Sequence, residues 1–90
     1  EPRTDIYALG ATLYEMLTGR RPFPGTTWQE LIRQVLLDDL VPPTRHVPSV
    51  PAGIETIVMR AMEKEKKRRY ATMEAVHGDL RRWIDAQSRA

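Results

Sequence analysis

The sequence predicts an all-α fold of four helices joined by polar or proline-rich loops. Apolar residues recur at helical spacing in four separate windows, and no alternating apolar and polar run of strand character occurs. The strongest breakers also fall between those windows: Gly19, Pro22 and the series Pro42, Pro43, Pro48 and Pro51.

The first helix is expected near residues 5–18. Thr4 or Asp5 can cap it, and Ile6, Leu9, Leu13 and Leu17 form one stripe, while Tyr7, Ala8, Ala11, Tyr14 and Met16 make the other faces apolar as well. A helix apolar nearly all round must be enclosed by protein or membrane. The run from Ile6 to Leu17 contains Glu15 and falls well short of the roughly 20 residues a bilayer demands, so a buried central helix is expected, with no membrane contact. Gly19 offers the left-handed position just past its end, and Pro22 prevents the helix from resuming.

A second helix near 28–37 opens with a capping box, Thr27 to Glu30, and carries Trp28, Leu31, Ile32, Val35 and Leu36 on what reads as one covering face. Residues 38–53 are too rich in proline for a regular helix or a central strand and read as a long ordered loop tethered to the body. Ile54, Ile57, Val58, Ala61 and Met62 define a third helix near 54–64. Thr72 caps a fourth near 73–86, with Met73, Val76, Leu80, Trp83 and Ile84 facing inward and Gly78 costing it about 1 kcal/mol relative to Ala.

Composition removes several function classes. The chain has no cysteine, which excludes disulfide frameworks and thiolate metal sites. His46 and His77 have no Asp, Glu or Cys at ligand spacing and read as surface histidines, so no metal site is expected. The start, Glu1-Pro2-Arg3-Thr4-Asp5, lacks the pattern of a secretory signal and reads as mid-domain sequence. The basic run from Lys64 to Arg69 could meet an acidic partner or be a solvated connection. As a nucleic-acid surface it is weak, because no aromatic residue interleaves it and Glu63 and Glu65 dilute it. No nucleic-acid partner is therefore expected.

The string Asp5-Ile6-Tyr7-Ala8-Leu9-Gly10, continuing through Leu13-Tyr14-Glu15-Met16-Leu17-Thr18-Gly19 to Arg21-Pro22-Phe23, resembles the D-x-W/Y-x-x-G helix F segment of protein kinases. The later order agrees: an amphipathic helix from Trp28, a proline-rich loop, a helix from Ile54, then Arg69-Tyr70 ahead of a last helix containing Asp79-Leu80 and Trp83. Tyr7-Ala8-Leu9-Gly10 and Arg69-Tyr70-Ala71 are similar to the serine/threonine type and not to the tyrosine type, and Tyr7 with Leu80 and Trp83 resembles bacterial eukaryotic-like kinases. The resemblance covers residues 1–90. It implies the lower part of a kinase C-lobe, helices F to I of an incomplete domain.

The resemblance also implies roles. Asp5, with Gly10 in the same motif, would support the catalytic loop, the carboxylate accepting backbone N–H groups as a buried strut; without the motif Asp5 reads as a helix cap. Thr12 and Met16 match positions at the base of the hydrophobic column beneath the adenine ring. Glu15, the single charge within the apolar run, either recognises a basic substrate residue, forms a structural ion pair or reaches solvent. Arg69 matches the arginine that pairs with the glutamate of the A-P-E motif, and without that glutamate it should turn to solvent or find a substitute. No Gly-x-Gly-x-x-Gly, Val-Ala-x-Lys, His-Arg-Asp or Asp-Phe-Gly occurs, and those motifs hold ATP and Mg²⁺ and position the substrate hydroxyl. The implied parent is a cytoplasmic or membrane-anchored serine/threonine kinase whose partners are the rest of its domain and a protein substrate. The 90 residues alone are expected to contribute no catalytic or cofactor-binding residue and to be inactive. The competing class is a non-catalytic kinase-like helical scaffold.

Overall fold

A computed structural model describes residues 1–88. Its elements are α1 (Pro2–Thr18), α2 (Trp28–Leu37), α3 (Pro43–His46), α4 (Ala52–Ala61), a single 3₁₀ turn (Lys66–Arg68) and α5 (Met73–Ser88). The described residues contain no strand. The four expected helices are all present, and a short fifth lies inside the proline-rich loop.

The boundaries follow local chemistry. α1 begins three residues before the expected start, because Pro2 fits the first helical position and Glu1 caps it, its side chain accepting from the Arg3 N–H at 3.3 Å. Thr4 and Asp5 therefore lie within the helix. Its C-terminus is as expected: Gly19 has φ 70° and its N–H donates to the Glu15 carbonyl at 2.8 Å. Thr27 caps α2 by accepting from the Glu30 N–H at 3.2 Å, and Thr72 caps α5 by accepting from the Ala75 N–H at 3.1 Å. α3 forms despite its prolines because Pro43 occupies its first turn, where a missing N–H is harmless. α4 ends at Ala61, short of the expected residue 64, since the chain there turns into the basic connection.

The core lies where α1 crosses α4 and α5 closes the open side. Ile6, Ile57, Ala61, Tyr70 and Val76 form one buried cluster; Tyr14, Val58 and Met62 form a second beside it. Gly10 sits at the crossing. A Cβ there would fall 2.9 Å from the Ala61 Cβ and 2.7 Å from the Met62 Cγ, closer than carbon atoms approach without displacement. The loop between α2 and α4 is tethered as expected: the Tyr14 hydroxyl donates to the Val41 carbonyl at 2.7 Å, and Glu55 accepts from the Thr44 N–H at 2.8 Å.

Expectations about burial are corrected on three helices. α1 is covered along Ile6, Gly10 and Tyr14 but not on its opposite face, where Asp5, Ala8, Thr12 and Met16 are exposed. α2 buries no residue fully: Leu31 and Val35 face the body, whereas Trp28, Ile32 and Leu36 are 78%, 54% and 66% exposed. Five apolar residues at helical spacing span too wide an arc for one flat contact, so only the inner edge is covered. Lys64 secures the far end of α2, its ammonium donating to the Val35 carbonyl at 2.7 Å and lying 4.8 Å from the Phe23 ring centre. On α5, Val76 is buried, while Met73 and Ile84 are 43% and 50% exposed.

Two of the helical glycines, Gly10 and Gly78, make opposite predictions. Gly78 faces only the flexible end of Arg82, so Gly78→Ala should raise stability by about 0.5–1 kcal/mol. Gly10→Ala forces the α1–α4 crossing apart, at about 1–3 kcal/mol before the smaller propensity gain. Thermal unfolding of both variants should show shifts of opposite sign. Shifts of the same sign would refute the crossing as described.

Candidate functional site

Helical geometry places Asp5, Thr12 and Met16 on one stripe, since positions separated by 7 and 4 return to nearly the same angle. All three are exposed, Met16 by 77%. Asp5 is therefore not buried within this chain, and its carboxylate takes part in no hydrogen bond or ion pair among the described residues. The Thr12 hydroxyl donates to the Ala8 carbonyl at 3.1 Å, which turns it back along its own helix. Gly10 lies on the other side of α1 from this stripe and has a packing reason for being glycine.

Glu15 is exposed and makes no ion pair among the described residues. It borders a groove of about 220 Å³ between α1 and α2, walled by Tyr7, Ala11, Phe23, Leu31 and Met62. The groove is apolar on its floor and carries one carboxylate and one guanidinium, Glu15 and Arg21, at its margin. Such a surface can hold an extended apolar chain segment and sort it by charge at one edge.

Arg69 is half-buried and has found a substitute for the carboxylate in three backbone carbonyls. Its Nε donates to the Glu63 carbonyl, its Nη2 to the Lys64 carbonyl at 3.2 Å and its Nη1 to the Arg3 carbonyl at 3.4 Å, while the guanidinium lies 4.8 Å from the Tyr7 ring centre. The guanidinium thus ties the start of α1 to the connection between α4 and α5. Burial pushes the Tyr7 hydroxyl up, and the Arg69 charge opposes it. Next to this junction the Arg3 Nε is buried without a partner. That nitrogen is a donor without an acceptor among the described residues, whereas all three Arg69 nitrogens have one.

Sequence reasoning gave Tyr70 no role beyond its place in a motif. In the structure it is fully buried and its hydroxyl donates to Asp79 Oδ2 at 2.7 Å, with the Arg60 guanidinium 4.2 Å from its ring centre. Arg82 also donates to Asp79, and Arg60 approaches it at 4.0 Å. This cluster locks α5 to α4. The signal that could have revealed it is the pairing of a core tyrosine with a carboxylate on the inner side of an otherwise apolar helix face.

Comparison with known proteins agrees with this arrangement. Residues 1–80 match the family described as protein tyrosine and serine/threonine kinase. The chain is 38% identical over 84 residues to serine/threonine-protein kinase PrkC of Bacillus subtilis, covering 93% of this chain and 13% of that protein. It is 35% identical over 88 residues to serine/threonine-protein kinase PknB of Mycolicibacterium smegmatis, covering 98% of this chain and 14% of that protein. With PknB of Mycobacterium tuberculosis the figures are 34% over 80 residues, 89% and 13%. The chain belongs to the protein kinase family, and its all-helical architecture is that of the lower C-lobe. It spans between 11% and 14% of the length of the relatives it matches.

The Tyr70 cluster predicts a pH response. The Tyr70 hydrogen bond, with Arg82 and Arg60 behind it, holds the Asp79 carboxyl below its usual range, so its contribution is present above that range and lost as pH falls. Tyr70 itself is pushed up to about 12 by burial and then by Asp79, so its contribution is complete below about pH 10 and lost as pH rises toward 12. Tyr70→Phe should lower stability at neutral pH by about 1.5–3 kcal/mol and flatten both limbs of the profile of melting temperature against pH. Wild-type and variant profiles that run parallel would refute the cluster.

Proposed function

We propose that the chain is the closing part, helices F to I, of the catalytic domain of a serine/threonine protein kinase, and that the parent protein transfers the γ-phosphoryl group of ATP to serine or threonine of protein substrates. The observation that carries the reading is the bare stripe of α1: the residues the family motif assigns to catalytic support, Asp5, Thr12 and Met16, are those this chain leaves uncovered. An aspartate and an apolar side chain held in line on a rigid helix, with nothing over them, suit a surface that the rest of the domain covers.

On this reading Asp5 accepts backbone N–H groups of the catalytic loop, with Gly10 letting α1 seat closely enough on α4 to hold it steady. Met16 and Thr12 close the base of the hydrophobic column under the adenine ring. Glu15, at the margin of the α1–α2 groove, meets a basic residue of the substrate. Arg69 pairs with the carboxylate of the A-P-E motif, which takes the place of backbone carbonyls the guanidinium holds in this chain. The segment supplies scaffold and part of the substrate-binding face. Its own partners are the rest of the kinase domain and the protein substrate.

The residues of this chain do not fit a nucleotide or a metal. Among the described residues no group of three or more His, Asp or Glu could hold an ion, and the sequence has no glycine-rich phosphate loop. ATP and Mg²⁺ therefore fall to other parts of the domain. No described helix is long and apolar enough to cross a membrane, and the reading puts the segment on the cytoplasmic side, where ATP is available, whether or not the parent is anchored. In the basic connection Lys66 approaches Glu1 at 3.6 Å, Arg68 approaches Glu65 at 3.5 Å and Lys64 is turned onto α2, while Lys67 is exposed.

In the full-length kinase, Asp5→Ala should lower kcat with little change in KM for ATP, because the strut positions the catalytic loop without touching the nucleotide. The loss of one charged acceptor corresponds to about 1.5–3 kcal/mol, or roughly 10- to 100-fold in rate. Steady-state kinetics on a peptide substrate measure it. Wild-type turnover would return Asp5 to an ordinary helix position.

A further inference from the structure

Beyond the kinase scaffold, one concavity of the chain has a consistent chemistry of its own. A pocket of about 270 Å³ lies between the α1–α2 connection and α3, lined by Arg20, Arg21, Pro22, Pro24, Val41 and His46. It contains two guanidiniums and an imidazole and no carboxylate. The surrounding sequence is equally free of acids, since no Asp or Glu occurs from Met16 to Gln29 or from Leu40 to Ile54. Neither Arg20 nor Arg21 forms an ion pair among the described residues, nor does Arg45 beside His46. By contrast Arg3, Arg33, Arg60, Arg68, Arg81 and Arg82 form ion pairs, and Arg69, which forms none, gives its donors to three backbone carbonyls.

The pocket is also held in shape. Arg21 Nη2 donates to the carbonyls of Pro24 and Gly25 at 3.2 and 3.4 Å, which fixes its guanidinium without neutralising it. The Thr18 hydroxyl accepts from the Arg20 N–H at 3.1 Å and pins the turn. Tyr14 forms the rear support, fully buried, bonded to the Val41 carbonyl and in edge contact with the His46 ring at 6.4 Å between centroids. The Arg20 charge reaches this tyrosine, where it opposes the upward effect of burial on the hydroxyl. Prolines on the wall restrict the backbone further. Two acids lie in the neighbourhood without lining this pocket: Glu15 shares the α1–α2 groove with Arg21, and Glu55 is bonded to the Thr44 N–H of α3.

A guanidinium fixed at Arg21 beside a second one free to turn at Arg20, neither with a counter-charge in the pocket, suits an anion that offers several oxygens at once, and a phosphomonoester dianion does so better than a single carboxylate. The volume is about nine times the liquid share of one water, enough for a phosphate with its ester carbon. Arg21 also lines a second, shallower notch with Gly25, Thr26, Thr27, Trp28 and Leu31, where residues flanking the phosphate could lie beside the exposed Trp28. We propose that Arg20, Arg21 and His46 form a binding site for a phosphorylated serine or threonine within a peptide segment. The anion site rests on geometry alone; the choice of a peptide over free phosphate rests also on the kinase reading, whose product carries that group.

The test uses the full-length protein and three probes at about 0.15 M ionic strength: a fluorescent nonapeptide with one phosphothreonine, its unphosphorylated twin, and inorganic phosphate as competitor. The phosphopeptide should bind at least tenfold more tightly than its twin and be displaced by phosphate. Arg20→Gln, which removes no side-chain hydrogen bond of the described fold, should weaken it about tenfold, the Arg20→Gln/Arg21→Gln pair further, and Lys67→Gln should have no effect. Equal binding of the two peptides, or binding that survives the paired substitution, overturns the site. Phosphate that shifts the His46 ring resonances without displacing phosphopeptide overturns the peptide source. Phosphoryl transfer is assayed separately, so arginine-dependent phosphopeptide binding by a parent that transfers no phosphate would refute the kinase reading and leave the pocket standing.

Discussion

The distance between α1 and α4 at Gly10 governs the rest of the molecule. With no side chain there, the two helices close until Ala61 and Met62 touch the α1 backbone, and that contact brings Ile6 onto Ile57 and sets Tyr14 beside Val58. Tyr14 then reaches Val41 and fixes the proline-rich loop, while α4 presents Arg60 to Tyr70 and so to Asp79 on α5. A side chain at position 10 would loosen each of these in turn, because close-packed interiors transmit displacement.

The same crossing decides which face of α1 is left over. Once Ile6, Gly10 and Tyr14 are committed to α4, the opposite stripe must carry Asp5, Thr12 and Met16. The chain is a thin body, 46 by 30 by 16 Å between Cα extremes, and the described residues place no second layer over that stripe. Leu9, Tyr7, Leu13 and Leu17 still pack at the edges of the core, and the large apolar side chain of α1 left in water is Met16, a liability of about 1.5–3 kcal/mol. On the function proposed above, that stripe is a docking face for the remainder of a kinase domain.

The four helices, their inner residues on α4 and the αL glycine after α1 were readable from the sequence because they depend on local periodicity and capping. Burial on α1 and α2 was less readable. Periodicity reports which residues could be covered, and Met16, Trp28, Ile32 and Leu36 could be, but covering them needs a surface that a sequence window does not contain. Local competition explains the smaller differences. Pro2 and Glu1 took the N-terminus from Thr4 and Asp5, and Pro43 opened a short helix where prolines in number suggested none. The site residues were legible only through the kinase motif. Arg69 drew its partners from three carbonyls that no spacing rule could supply, and Arg20, Arg21 and His46 come together only because Tyr14 holds the loop across the end of α1.

Oxidative footprinting of methionines tests most directly the claim that α1 turns one face to this chain and the other to the rest of a kinase domain. In the 90-residue chain, dilute peroxide should oxidise Met16 fastest, Met73 next and Met62 slowest, following exposures of 77%, 43% and 5%. In the full-length kinase, Met16 should fall to the rate of Met62 while Met73 stays reactive. A Met16 that remains as reactive as Met73 in the intact protein would contradict the account, because the stripe carrying Asp5 and Thr12 would then face solvent in the working molecule.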